Sequence, residues 1–232
     1  LQIPSNDLND PEVYDEINEF INSHPEDDIV FKLPKRRHAD YEYQSSRHIF
    51  LDAYKLARLN NPIPVEFSSE QINVAVHIRR GDLLPGRQYQ DLRDRMLSDE
   101  WYMKILDLII QHLSNEKITL HIFSEGVNGQ YLNERGQPFS WSKNFSSHRN
   151  ILVREWVDSS FIKSFHHLIN ADVLIGSKSG MSHLAGMFNN QLKIMPKMWH
   201  SYRGADKVIE LESVHSNRNV NLISNHIALN KN

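Results

Sequence analysis

The sequence predicts an α/β fold with a doubly wound parallel sheet of the Rossmann type. Two observations carry this. The apolar runs "INVAVHI", "KITLHIFS" and "ADVLIG" are continuous rather than alternating, the pattern of strands covered on both faces. They also alternate along the chain with amphipathic helical stretches, the order that builds parallel βαβ units. No internal repeat or low-complexity segment competes with that reading.

The opening "LQIPSNDLNDPEVYDEINEFINSHPEDD" predicts a loop and then a helix from about Pro11, with Val13, Ile17, Phe20 and Ile21 on one face and Pro25 as its stop. A short strand is expected over 28–34, closed by Pro34. The stretch "SRHIFLDAYKLARL" predicts a helix with Ile49, Ala53 and Leu56 on one stripe, ended by Asn60-Asn61-Pro62. "INVAVHI" is a strand that runs directly into Arg79-Arg80-Gly81-Asp82, and "PGRQYQDLRDRMLSDE" is a polar loop over its end. From about Glu100 a helix spaces Tyr102, Ile105, Leu106, Ile109 and Leu113 for one buried face. "KITLHIFS" and "NILV" (150–153) are the next strands. The last third repeats the alternation. A helix carries Phe161, Phe165, Leu168 and Ile169, and the strand "ADVLIG" follows it. A second helix holds Met181, Leu184, Ala185 and Phe188, and a last strand, "QLKIM", stops at Pro196. The tail after Trp199 is polar and Asn-rich except for "NVNLIS".

A chain of 232 residues has room for one large domain or two small ones. A formal net charge of −3 argues against a general nucleic-acid binder. The complete lack of cysteine excludes disulfides, thiolate nucleophiles and cysteine-based zinc sites, and fits a cytoplasmic setting. No apolar run reaches the roughly 20 residues of a membrane span. No signal peptide is visible, and the chain starts at Leu1 rather than Met.

In parallel sheets of this kind, ligands bind outside the C-terminal ends of the strands. Three segments leave strands at that end: His77–Asp82, Ser124–Gly126 and Gly176–Ser182. Ser177, Ser179 and Ser182 surround a helix start, where free N–H groups and the helix dipole favour an anion. The same residues also suit plain N-capping. Arg79 and Arg80 are neighbours on a strand and so point to opposite faces. One is placed to make bidentate contacts with a diphosphate, and the other to form a structural ion pair, for example with Asp82. Neither G-x-x-x-x-G-K-[ST] nor G-x-G-x-x-G occurs, which argues against a P-loop NTPase and an ordinary dehydrogenase. Thirteen histidines invite a metal reading. However, the adjacent His166 and His167 diverge by about 100° on a helix and do not chelate one ion easily. The Arg-Gly-Asp tripeptide (80–82) follows a buried strand instead of lying on a mobile adhesive loop.

These residues also carry a family resemblance. "VHIRRGD" resembles the H-x-R-R motif of GDP-fucose-dependent fucosyltransferases, the superfamily of α1,2-, α1,6- and protein O-fucosyltransferases. "HIFSEG" is similar to the second motif of that superfamily, and "FHHLINADVLIGSKSGMSHLAGMF" to the third. The three stand in family order over residues 73–195. The resemblance implies a GT-B-like architecture, with 73–232 as the nucleotide-sugar-binding domain and 1–72 as a reduced acceptor-side region. It implies an inverting, metal-independent transfer of fucose from GDP-fucose to a glycan, with no cofactor. By position, Arg79 binds the β-phosphate and His77 lies near the guanine. Ser177, Ser179 and Ser182 form the phosphate turn, and Ser124 and Glu125 flank the sugar donor. Arg79 then offsets charge on the departing GDP, and Asp82 or Glu125 serves as base. The chain departs from the α1,6-type pattern where that pattern has a guanine-reading carboxylate. Ser164 stands there, and Asp158 is the substitute upstream. Two rival readings keep the fold: another nucleotide sugar as donor, or a module that binds sugar nucleotides or glycans without turnover.

Overall fold

A computed structural model describes residues 15, 19–25, 44–198, 202, 206–212 and 223. The chain falls into two compact units, Leu1–Asp40 and Tyr41–Asn232. In the first, Asp15 and residues 19–23 are helical, within the helix expected from Pro11. The strand expected over 28–34 lies outside the described residues, as does all of the 219–224 run except Ile223.

The second unit opens with α1 (Gln44–Asn60) and then builds a six-stranded, all-parallel sheet. The elements that follow are β1 (Ile72–Ile78), α2 (Asp99–His112), β2 (Ile118–Ser124), a helical turn α3 (Trp141–Asn144) and β3 (Ile151–Val157). After these come α4 (Phe161–Asn170), β4 (Val173–Ile175), α5 (Gly180–Phe188), β5 (Leu192–Pro196) and β6 (Val208–Leu211). The strand order is β3-β2-β1-β4-β5-β6. The chain winds outward from β1 through β2 to β3, then crosses back to β4 on the other side of β1. This Rossmann-like order puts a topological switch point between β1 and β4.

Both faces of the sheet are covered, which is why the central strands are apolar throughout. On one face Val74, Val76 and Ile78 of β1 meet Tyr102, Ile105, Leu106 and Ile109 of α2, all fully buried. Ser98 caps α2 by accepting the Trp101 N–H, and Asp99 and Glu100 in the first turn complement the helix dipole. On the other face Ala75, Leu174 and Met195 pack against Phe165 and Leu168 of α4 and Ala185 of α5. The Asp172 carboxylate accepts the Asn73 N–H at 2.8 Å and so ties the chain entering β4 to β1.

Three elements depart from expectation. In α1 the stripe of Ile49 and Leu56 faces solvent, each 60% exposed. The packed face is Leu51 and Tyr54, which sit on the Phe165 and Phe188 side of the sheet. Strand β3 continues past Val153 to Val157. A sixth strand, "VIEL", pairs with β5 through Ile194↔Ile209.

Candidate functional site

The C-terminal ends of β2, β1 and β4 are adjacent, in the register Ile78↔Ser124 and Val76↔Ile175. The segments after them meet across the switch point. His77, next to last on β1, is 4% exposed, and its Nδ1 lies 2.6 Å from Ser182 Oγ and 3.2 Å from Ser177 Oγ. Ser182 Oγ also accepts the Ser177 N–H at 2.9 Å. Thus a side chain of the first motif is bonded directly to two of the third. Burial is the main force pushing His77 down to about 4; Glu125 opposes that shift and Arg79 adds to it.

The three serines divide the work. Ser179 is the N-cap of α5, its hydroxyl accepting the Met181 N–H at 3.2 Å. Ser177 and Ser182 instead face His77 from below. Lys178, between them, donates to the Asp94 carbonyl at 3.1 Å and ties the loop over the sheet edge to this turn. Lys178 carries no sequence motif, although its place between two serines at a helix start is a usable signal.

Arg79 and Arg80 follow the end of β1, and each takes its own carboxylate: Asp82 for Arg79 and Asp99 for Arg80. Arg79 pairs with Asp82, Nη2 to Oδ2 at 2.8 Å, and both side chains are partly open to solvent. Arg80, expected among the residues that hold the sugar donor, is 0% exposed. It is bonded to Asp99 at 2.7 Å and to the Arg79 carbonyl at 2.9 Å, and lies over the Tyr131 ring. Its guanidinium is sealed from solvent and braces the Arg79 carbonyl from within the core.

The sequence reading missed the network around Arg80. Tyr131 donates to Asp99, the Glu134 N–H donates to Asp99 Oδ2, and the Asp99 N–H donates to Glu134 Oε2. Burial raises the Asp99 carboxyl to about 6, with Arg80 and Tyr131 working against the rise. Asp99 was legible only as a polar residue starting a helix.

At the end of β2, the Ser124 hydroxyl donates to the Ile78 carbonyl at 2.7 Å and joins the two strand ends. Glu125 is exposed, and its carboxylate accepts the Arg80 N–H at 3.3 Å. Gly81 makes this approach possible: it has φ +38°, and a Cβ there would stand 2.9 Å from the Glu125 Cβ. Asp158, at the end of β3, accepts the N–H groups of Gly126 and Gly129 at 2.8 and 3.0 Å. It clips the turn behind Glu125. Ser164, on α4, is buried. His166 and His167 take separate partners: His166 bonds Tyr54, and His167 Nε2 accepts the Glu66 N–H at 3.1 Å.

No family model and no curated protein matches this chain. Among solved structures, the N-terminal domain of Candida albicans trehalose-6-phosphate phosphatase is similar at TM-score 0.38 and 10% identity, over 81% of this chain and 38% of its own length. At that level the likeness carries no argument about function. Among the described residues, no helix is long and apolar enough to cross a membrane.

Proposed function

We propose that the chain is a nucleotide-sugar-dependent glycosyltransferase of GT-B-like architecture that transfers fucose from GDP-fucose to a glycan acceptor. One observation carries this reading. The three segments that resemble the fucosyltransferase motifs leave the C-terminal ends of neighbouring strands, across the switch point, and His77 bonds Ser177 and Ser182 there. A diphosphate in this crevice meets Arg79, the only one of the two arginines with its side chain open to solvent, and the start of α5. As the sugar bond breaks, charge grows on the departing GDP, and Arg79 lies where it offsets that charge without a metal. Glu125 is the better base of the two carboxylates. It is exposed and held only through a backbone contact, whereas Asp82 is occupied by Arg79.

Calorimetric titration with GDP, UDP, ADP and CDP, without added metal, tests this. Binding of GDP alone is expected, and Arg79→Ala should weaken it about 10- to 100-fold, the usual cost of losing a hydrogen bond to a charged group. A preference for UDP overturns the donor assignment. No binding of any nucleotide by the folded chain overturns the enzyme reading in favour of a module without turnover.

A further inference from the structure

The buried cluster beneath the crevice fixes where the His77 proton sits. Ser177 is 1% and Ser182 0% exposed, so solvent completes none of their bonds. Ser182 Oγ takes the Ser177 N–H and lies 3.0 Å from Ser177 Oγ and 2.6 Å from His77 Nδ1. Were the proton on Nδ1, it would be donated to Ser182 Oγ. The Ser182 hydroxyl would then turn to Ser177 Oγ, leaving the Ser177 hydroxyl proton no acceptor in a dry site. With Nδ1 bare, Ser182 donates to Nδ1, Ser177 donates to Ser182 Oγ, and every group in the cluster is used. The ring proton is then on Nε2. Among the described residues Nε2 has no protein partner, yet it is not among the buried polar atoms sealed without one. It is the ring nitrogen that the protein leaves unsealed.

We propose that Ser182 is a positioning residue. With Ser177, it holds His77 as a neutral imidazole whose Nε2–H is directed into the crevice, so that His77 serves a ligand as a hydrogen-bond donor and not as a general base. The charged groups facing the ring are Glu125 and Arg79, of opposite sign, and burial outweighs both in keeping it neutral. Such a donor recognises an acceptor oxygen. That this oxygen belongs to a bound nucleotide rests on the function proposed above; the proton assignment does not.

Long-range ¹⁵N–¹H correlation spectra of the full chain, recorded from about pH 8 to about pH 5, read the tautomer directly. The expected result is His77 with bare Nδ1 and protonated Nε2 throughout, without added ligand. In Ser182→Ala the ring should show a mixture of tautomers and GDP affinity should fall about tenfold, as for one lost hydrogen bond. Ser182→Cys, of similar volume but a weaker donor, should fall between the two. If Ser182→Ala does not fold, the wild-type spectrum decides alone. A proton on Nδ1 in the wild type, or a Ser182→Ala chain with unchanged tautomer and affinity, overturns the proposal. A wild type that holds the expected tautomer but binds no nucleotide supports it and removes only the proposed function.

Discussion

Acid should unfold this protein through His77, and the size of the effect follows from its place in the sheet. Burial holds the folded ring near 4, against about 6.5 for a histidine in an unfolded chain. Between those values the unfolded state binds the extra proton. The stabilisation is therefore complete above about 6.5, falls as pH drops, and is gone below the folded value. From pH 7.5 to pH 5 the loss from this one ring is about 2 kcal/mol, at about 1.36 kcal/mol per unit. Urea unfolding at both pH values measures it. The wild-type midpoint should drop by about 1 M from His77 alone, for a slope of roughly 2 kcal/mol/M; His121, pushed down to about 3, adds to that loss, and Asp99, raised to about 6, works against it. In His77→Asn the side-chain oxygen still accepts from Ser182, but nothing titrates. The variant should be less stable at pH 7.5 and yet lose about 2 kcal/mol less than wild type on going to pH 5. Equal losses in the two proteins would refute the reasoning.

Three further outcomes separate the parts of the site. Arg80→Ala leaves the buried Asp99 without its cation and should cost about 3–5 kcal/mol in urea unfolding, whereas Arg79→Ala, from a partly exposed pair, should cost under about 1 kcal/mol while weakening GDP about 10- to 100-fold in calorimetry. Glu125→Gln should lower turnover in a GDP-release assay by about 10²- to 10⁴-fold with GDP affinity nearly unchanged, and Asp82→Asn should move affinity more than turnover. Gly81→Ala forces a side chain onto a left-handed backbone against Glu125, and should lower the urea midpoint by the equivalent of about 1–3 kcal/mol.

The buried centre of the sheet was readable because burial there is uniform. In β1, β2 and β4 nearly every residue is covered, so each strand appears as an unbroken apolar run. The two strands misread, β3 and β6, are the two edges of the sheet. There the outward residues meet water, and Arg154-Glu155 in β3 and Glu210 in β6 interrupt the run that marks a strand. Helix α1 fails for another reason. It is apolar on two sides, Ile49 and Leu56 on one and Leu51 and Tyr54 on the other, and periodicity alone does not say which of two equal stripes meets the sheet. The candidate site was legible as three strand ends, since that needs only the order of elements. Its internal assignments depended on partners far away in sequence: Asp99 for Arg80, and Ser182, 105 residues on, for His77.

The two arginines show how a strand end turns alternation into a division of labour. Arg80 points into the core, where Asp99 neutralises it and Tyr131 covers it. From there its guanidinium holds the Arg79 carbonyl, while Glu125 holds the Arg80 N–H from the neighbouring strand end. The backbone that carries Arg79 is therefore fixed from two directions before any ligand arrives. Among the described residues the Arg79 side chain is fixed only by Asp82, at the far end of its stem, in a pair that water reaches and an incoming anion can displace. An anion binding here would need one side-chain exchange and no ordering of backbone, which would otherwise add to the cost of association. A lysine at the second position would keep the charge, yet it would lack the planar fork that reaches Asp99 and the Arg79 carbonyl together. The physical case for two adjacent arginines is thus that the second makes the first usable.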